Sequence, residues 1–259
     1  MKKNVLIRLF VIIIISGCSS EYEKEKSLLV YSGAGMKDPM NEIAVEFEKE
    51  FAIEVNYVYG GSGVIFAKIE MQKTGDVFMP GSGFFMNTAK EKGYIDSSKS
   101  VVLHIPVIIV AKGNPKKINS IKDLSKENIR ISLAKEDACA ICNLAPKIFK
   151  KAGIYEYIKK NAVTTSRTNV NELALDVVLN EADAAIVWRS SAKNYIKQNK
   201  ADIIEINKKV NIIKIIPIAV LNFSKNKEDA EKFKEFVISK KDVWKKYGYA
   251  DLEEKDITL

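Results

Sequence analysis

Four short runs of small and polar residues are the places in this 259-residue chain where chemistry could be done. They are Ser32-Gly33-Ala34-Gly35, Gly60-Gly61-Ser62-Gly63, Ala138-Cys139-Ala140-Ile141-Cys142 and Thr168-Asn169-Val170-Asn171. Each follows an apolar stretch and precedes a segment of helical period, so each is expected to open a helix. The first N–H groups of a helix lack internal partners and carry the positive end of its dipole, which suits them to an anion. Glycine lets the backbone approach closely, and Ser62 adds a hydroxyl donor. One such run is an ordinary tight turn. Four of them, one per strand and helix pair, point to a shared binding cleft.

Other chemistry is poorly supplied. Around Ser62 and Ser82 the pattern G-x-S-x-G is not completed, because Val64 and Phe84 stand where the last glycine would be. Neither Gly33-Ala34-Gly35 nor Gly81-Ser82-Gly83 continues to G-x-G-x-x-G, and no G-x-x-x-x-G-K-[ST] occurs. Cys139 and Cys142 form a C-x-x-C at an expected helix start, which permits redox work or, in an oxidising compartment, a local disulfide. Zinc is disfavoured, since the chain has a single histidine, His104, set in an apolar run. Asp137 and Glu172 lie near the small-residue turns and offer an acceptor there, or act as solvated or capping carboxylates. Arg167 and Arg189 flank the same turns and would raise the local potential, or serve as plain surface charges.

The elements that must hold these turns alternate. Ser27 to Gly33, Ile53 to Tyr59 and Asp76 to Met79 read as strands. Between them, Ile43, Phe47 and Phe51 share one helical face, Val64 to Met71 repeats that pattern, and Phe84 to Lys92 ends at a C-capping Gly93. Val101 to Ala111 is expected as one long strand, and Asn211 to Leu221 as a second. Ile129 to Ala134, Val163 to Ser166 and Ala184 to Trp188 are further strands, with helices at Ala145 to Ala152, Val170 to Leu179 and Lys227 to Ile238. Alternation of this kind predicts an α/β fold with mostly parallel sheets covered on both faces. The two long strands would carry the chain out of one lobe and back.

Composition bounds the function. The chain is 47% hydrophobic and 29% charged with 13 Gly and 6 Pro, which is globular. Its formal charge of +8 falls to +5 without Lys2, Lys3 and Arg8, and the remaining cations are interleaved with acids. No basic stripe with aromatics invites nucleic acid. Those three cations, the apolar run Leu9 to Ile15 and the small-residue stretch ending at Cys18 form a leader too short to span a bilayer. They resemble a bacterial lipoprotein signal in which Cys18 is lipidated, placing the mature chain outside the cytoplasm on a membrane.

The order of these residues resembles the molybdate- and tungstate-binding family of type II periplasmic solute-binding proteins of ABC transporters. The match runs through Val30-Tyr31-Ser32-Gly33-Ala34-Gly35-Met36, Tyr59-Gly60-Gly61-Ser62-Gly63, Asp76-Val77-Phe78, Val170 to Leu175, Glu181 to Ser190 and Tyr247-Gly248-Tyr249. The resemblance implies a two-lobed fold with a tetrahedral oxyanion, molybdate or tungstate, held in the cleft, and no cofactor or catalytic residue. Residues 1–18 would be the leader, 19–27 a tether, 28–104 and 217–259 the first lobe, and 105–216 the second. Hinges would fall near 104–106 and 214–217. Ser62 falls at a ligand serine, Ile141 and Val170 at backbone donors, and Trp188 where a tyrosine hydroxyl usually contributes. Gly35 stands where a serine is common, with Ser32 nearby as a compensating donor. A donor-only site favours a fully deprotonated dianion over a protonated phosphate, which needs an acceptor for its own proton. The implied partners are an ABC permease with its ATPase and the membrane through the lipid anchor; a monomer is expected, and the only metal is that of the oxyanion. The competing expectation is a surface adhesin or sensor module that recognises sulfate or a small organic acid.

Overall fold

The computed structural model describes residues 26–81, 83–135, 139–161, 163–167 and 170–253. The leader with Cys18, and Ser82, Asp137, Thr168 and Asn169, lie outside the described residues.

The first half builds parallel strand and helix pairs. Strand β1 (Ser27–Gly33) leads through a single 3-10 turn into helix α1 (Lys37–Phe51), whose Met40, Ile43, Ala44 and Phe47 repeat at helical spacing and are buried. Strand β2 (Glu54–Gly60) feeds α2 (Ser62–Gln72), and β3 (Val77–Met79) feeds α3 (Gly83–Glu91). Gly93 sits at φ +68 just past α3, as its expected capping role requires. Strand β1 runs parallel to both β2 and β3, so the carboxyl ends of all three lie on one edge.

The apolar run at residues 101–111 is two strands, not one. Strand β4 (Lys99–His104) pairs in the first sheet and β5 (Pro106–Ala111) in the second, with buried Ile105 between them. Proline supplies the reason. It donates no N–H to a ladder and restrains the residue before it, so pairing in the first sheet ends there.

The second sheet contains β6 (Ile131–Ala134), followed by α4 (Ala140–Ala152) and α5 (Tyr155–Asn161). Strand β7 (Val163–Arg167) leads to α6 (Val170–Val178), β8 (Ala184–Trp188) to α7 (Arg189–Lys197), and β9 (Ala201–Glu205) completes it. The chain then returns to the first sheet as β10 (Lys214–Val220), with a register shift at Pro217. Helices α8 (Lys227–Ser239) and α9 (Lys241–Lys246) close that side, where Phe233 meets Phe47 edge-on at 4.9 Å.

The two sheets have matching order, β2-β1-β3-β10-β4 and β7-β6-β8-β5-β9. In the second, β6 is parallel to β7 and β8 while β5 is antiparallel to β8 and β9. Separate apolar clusters cover the faces of each sheet, giving a two-lobed α/β protein. Among the described residues no helix is long and apolar enough to cross a membrane.

Candidate functional site

The carboxyl ends of parallel strands in open α/β sheets are where ligands bind, and this fold offers two such edges. On the first, the turns after β1, β2 and β3 pack against one another. The Gly81 N–H donates to Ser62 Oγ at 3.0 Å. A Cβ at Gly33 would stand 2.9 Å from Met36 Cε and 3.2 Å from Gly81 N, so glycine is what allows the first and third turns to approach. A hydroxyl that accepts from a backbone amide has its own proton turned elsewhere. Ser62 is thereby set as a donor at the start of α2.

Gly35 lies in the 3-10 turn after β1, and nothing stands within 4 Å of where its Cβ would be. A serine would fit, so glycine here is not a packing requirement. Its carbonyl accepts from the Tyr249 hydroxyl at 2.8 Å. Ser32 belongs to the body of β1, is fully buried, and its hydroxyl has no hydrogen-bond partner among the described residues.

On the second edge lie the starts of α4, α6 and α7. Ile141 is in the first turn of α4 with its side chain buried in the lobe core. Cys139 caps that helix, its Sγ accepts from Cys142 N–H at 3.3 Å, and the two cysteines are joined as a disulfide. Val170 is the first residue of α6. Trp188 ends β8, and its indole stacks on the His104 imidazole at 3.8 Å between centroids.

This stack ties the site to the crossing between sheets. His104 is the last residue of β4, its Nε2 lies 3.0 Å from Ser190 Oγ, and Tyr249 packs against its ring at 5.1 Å. Gly35 and Trp188 are thus connected through Tyr249 and His104. Burial holds the imidazole far below its usual range, at about 3 against 6.5. The unfolded chain therefore binds a proton that the folded chain refuses between those two values. Stability should fall by roughly 1.4 kcal/mol per pH unit as pH drops from 6.5 toward 3, and not further through this group below that. Urea unfolding of wild type and His104→Gln across pH 4 to 7 reads this as a difference that narrows with falling pH.

The two arginines beside the turns are paired with carboxylates. Arg167 donates from Nε and Nη2 to Asp176, at 2.6 Å for the shortest contact, and Asp176 is 2% exposed. The Ser132 hydroxyl donates to the same carboxylate at 2.6 Å. Arg189 reaches Glu205 at 2.8 Å. Each charge is thus compensated locally rather than left to raise the potential at the turns. A cavity of about 550 Å³ lies nearby, but its lining mixes Arg189, Lys193 and Lys245 with Asp251 and Glu253, which does not suit an anion.

Sequence reasoning gave no role in the site to Gly81, whose amide orients Ser62, nor to Asp176, Tyr249 and Ser190, although Gly81, Tyr249 and Ser190 stand in runs it named. The turn at Gly81 was legible as a fifth small-residue run. The others depend on partners far along the chain.

Comparison with known proteins agrees with this construction. The family model described as bacterial extracellular solute-binding protein matches residues 28–250. A Haemophilus influenzae protein named only for binding is 32% identical over 165 residues, covering 64% of this chain and 67% of its own. The molybdate-binding protein of Mycobacterium tuberculosis is 24% identical, covering 76% and 73%. Among solved structures, a substrate-binding domain from Clostridium difficile assigned to a molybdenum ABC transporter superposes with a TM-score of 0.76 at 23% identity, covering 88% of this chain and 99% of its own. The sulfate-binding protein of Mycobacterium tuberculosis gives 0.73 at 15% identity, covering 90% and 89%. With two sheets of matching order, helix starts gathered on the carboxyl edge of each, and a family match that spans nearly all of the described residues, the chain belongs to the bacterial extracellular solute-binding proteins.

Proposed function

We propose that the protein is the lipid-anchored, extracytoplasmic capture component of an ABC importer and that it carries molybdate or tungstate between its lobes. The observation that carries this reading is the gathering of helix starts on the carboxyl edges of both sheets, with Ser62 held as a donor by Gly81. Ligand donors would come from Ser62, from the backbone at Gly35, Ile141 and Val170, and from the Trp188 indole N–H, with Ser32 in reserve. A wall made of N–H and O–H groups rewards a dianion that needs no acceptor. The relatives named for molybdate and molybdenum support the choice of anion.

Residues 28–104 and 214–253 would form one lobe and 105–213 the other, because Lys214 to Ile216 already pair with β4 in the first sheet, which moves the expected boundary at 216–217 back to the start of β10. The lobes would move about 104–106 and the entry to β10. Anion bound to one wall recruits the other, and its greater affinity for the closed form shifts the equilibrium toward closure. The closed form is what the permease and its ATPase would receive. The ligand leaves unchanged, so no general acid or base is called for. Cys18 would anchor the chain, and a monomer suffices.

Calorimetry and thermal unfolding of the chain from Ser19 onward, with molybdate, tungstate, sulfate, phosphate and small carboxylates, test the reading. A true ligand at a hundred times its dissociation constant should stabilise the fold by about 2.7 kcal/mol. A response to molybdate or tungstate above the others supports the proposal. A response to sulfate or a carboxylate alone overturns the choice of anion and favours the sulfate or organic-acid reading, to which the sulfate-binding neighbour gives some weight.

A further inference from the structure

The C-x-x-C pair has no part in capture as described above, yet it sits on the helix end that the proposed function assigns to the anion. Cys139 is the N-cap of α4, half-buried, with extended backbone, and Cys142 in the first turn is 3% exposed. The Ala140 and Ile141 amides lie between them and have no intrahelical acceptor. The Cys142 N–H is taken by Cys139 Sγ and the Asn143 N–H by Cys139 O, at 3.3 and 3.1 Å.

The rest of α4 holds this turn with one bond fewer than an unbroken helix would. Pro146 stands inside the helix, four residues after Cys142, where it has no N–H to give the Cys142 carbonyl and its ring crowds that oxygen. A covalent link across the same turn replaces the lost hold.

We propose that the Cys139–Cys142 disulfide is a clamp that positions the Ala140 and Ile141 N–H groups for the oxyanion, so that anion affinity depends on its oxidation. The affinity part rests on the proposed function; the ordering of the turn does not. A dithiol reductant supplies two electrons and two protons: the S–S bond breaks, two S–H bonds form, and the reductant is oxidised to its own disulfide. The freed turn must then be ordered by the ligand, which costs affinity.

Two measurements on the purified protein test this. Amide exchange over 142–145, whose N–H groups are bonded back to residues 139–141, is compared without ligand for oxidised protein, reduced protein and Cys139→Ser/Cys142→Ser. Serine at 139 keeps a capping oxygen and removes only the covalent link. Molybdate and tungstate affinities of the same three samples are measured by calorimetry well below the unfolding transition. Exchange should quicken, and the dissociation constant rise about three- to tenfold, in both unlinked forms. Unchanged exchange overturns the clamp whatever binds. Quickened exchange with unchanged affinity overturns its role in capture, leaving a disulfide that only stabilises the fold. If the oxidised protein binds none of the anions, the proposed function falls, and with it the affinity part; exchange still decides whether the disulfide orders the turn.

Discussion

Ser62→Ala should raise the dissociation constant for the captured oxyanion by about ten- to a hundredfold, the cost of one charge-assisted hydrogen bond plus the loosening of a neighbouring turn. The Ser62 hydroxyl does two things at once. It accepts the Gly81 N–H at 3.0 Å, and that contact leaves its proton free to point to a ligand beside the first turn of α2. Alanine removes the donor and also deprives Gly81 of its acceptor. Ser62→Thr keeps the hydroxyl and separates the two contributions from a plain loss of packing. It should retain most of the affinity if the added methyl is accommodated, and calorimetry with the anion selected by the ligand panel reads both variants. Equal affinity for Ser62→Ala and wild type would remove Ser62 from the site. Gly35→Ser offers a complementary gain, because a side chain there meets nothing within 4 Å.

The turns were legible because their encoding is local. Small or polar residues at a strand's end, followed by helical period, are read from a window of a dozen residues, and β1 to α1, β2 to α2, β6 to α4 and β7 to α6 all follow that grammar. A crossing between lobes was expected near 104–106, but the split of the run into two strands at Ile105 was not legible from apolarity, since Val101 to Ala111 is hydrophobic on both sides of it. Pro106 was the local mark, and its missing N–H explains the break. Strand β9 escaped because Ala201–Glu205 is short and carries charges at both its second and last positions. Helix α7 escaped because its apolar stripe is only Ala192, Tyr195 and Ile196, of which Ala192 alone is buried.

Contacts between distant segments were beyond the reach of any window. His104 and Trp188 are 84 positions apart and stack only because β4 crosses into β5, which pairs with β8. The same holds for the Tyr249 hydroxyl on the Gly35 carbonyl, 214 positions away. The residues proposed as donors were therefore readable, whereas the distant contacts that hold their turns were not. Arg167 illustrates the difference. Its charge beside a turn suggested a raised potential, and its buried partner turns that charge into a brace.

That brace carries the largest expected effect of a substitution on stability at neutral pH. Asp176→Asn should destabilise the fold by about 2–3 kcal/mol, less than for a fully buried ion pair because the Arg167 side chain is 40% exposed. Asp176 is 2% exposed and accepts from Arg167 Nε and Nη2 and from the Ser132 hydroxyl, which is itself on a buried residue of β6. Asparagine is nearly isosteric but turns an NH₂ toward groups that are themselves donors, so one of them loses its acceptor inside the lobe. The damage falls between β6, the end of β7 and α6, the elements that hold the turn opening at Val170. Affinity for the anion should therefore fall with stability, in contrast to a change in the first lobe's core such as Phe233→Leu, which should lower stability alone. Arg167→Lys keeps the charge and loses the fork, and should cost about half as much as Asp176→Asn. Urea unfolding followed by calorimetry on these three variants separates a brace, which couples the two losses, from an ordinary surface ion pair, for which Asp176→Asn would change neither by more than a few tenths of a kcal/mol.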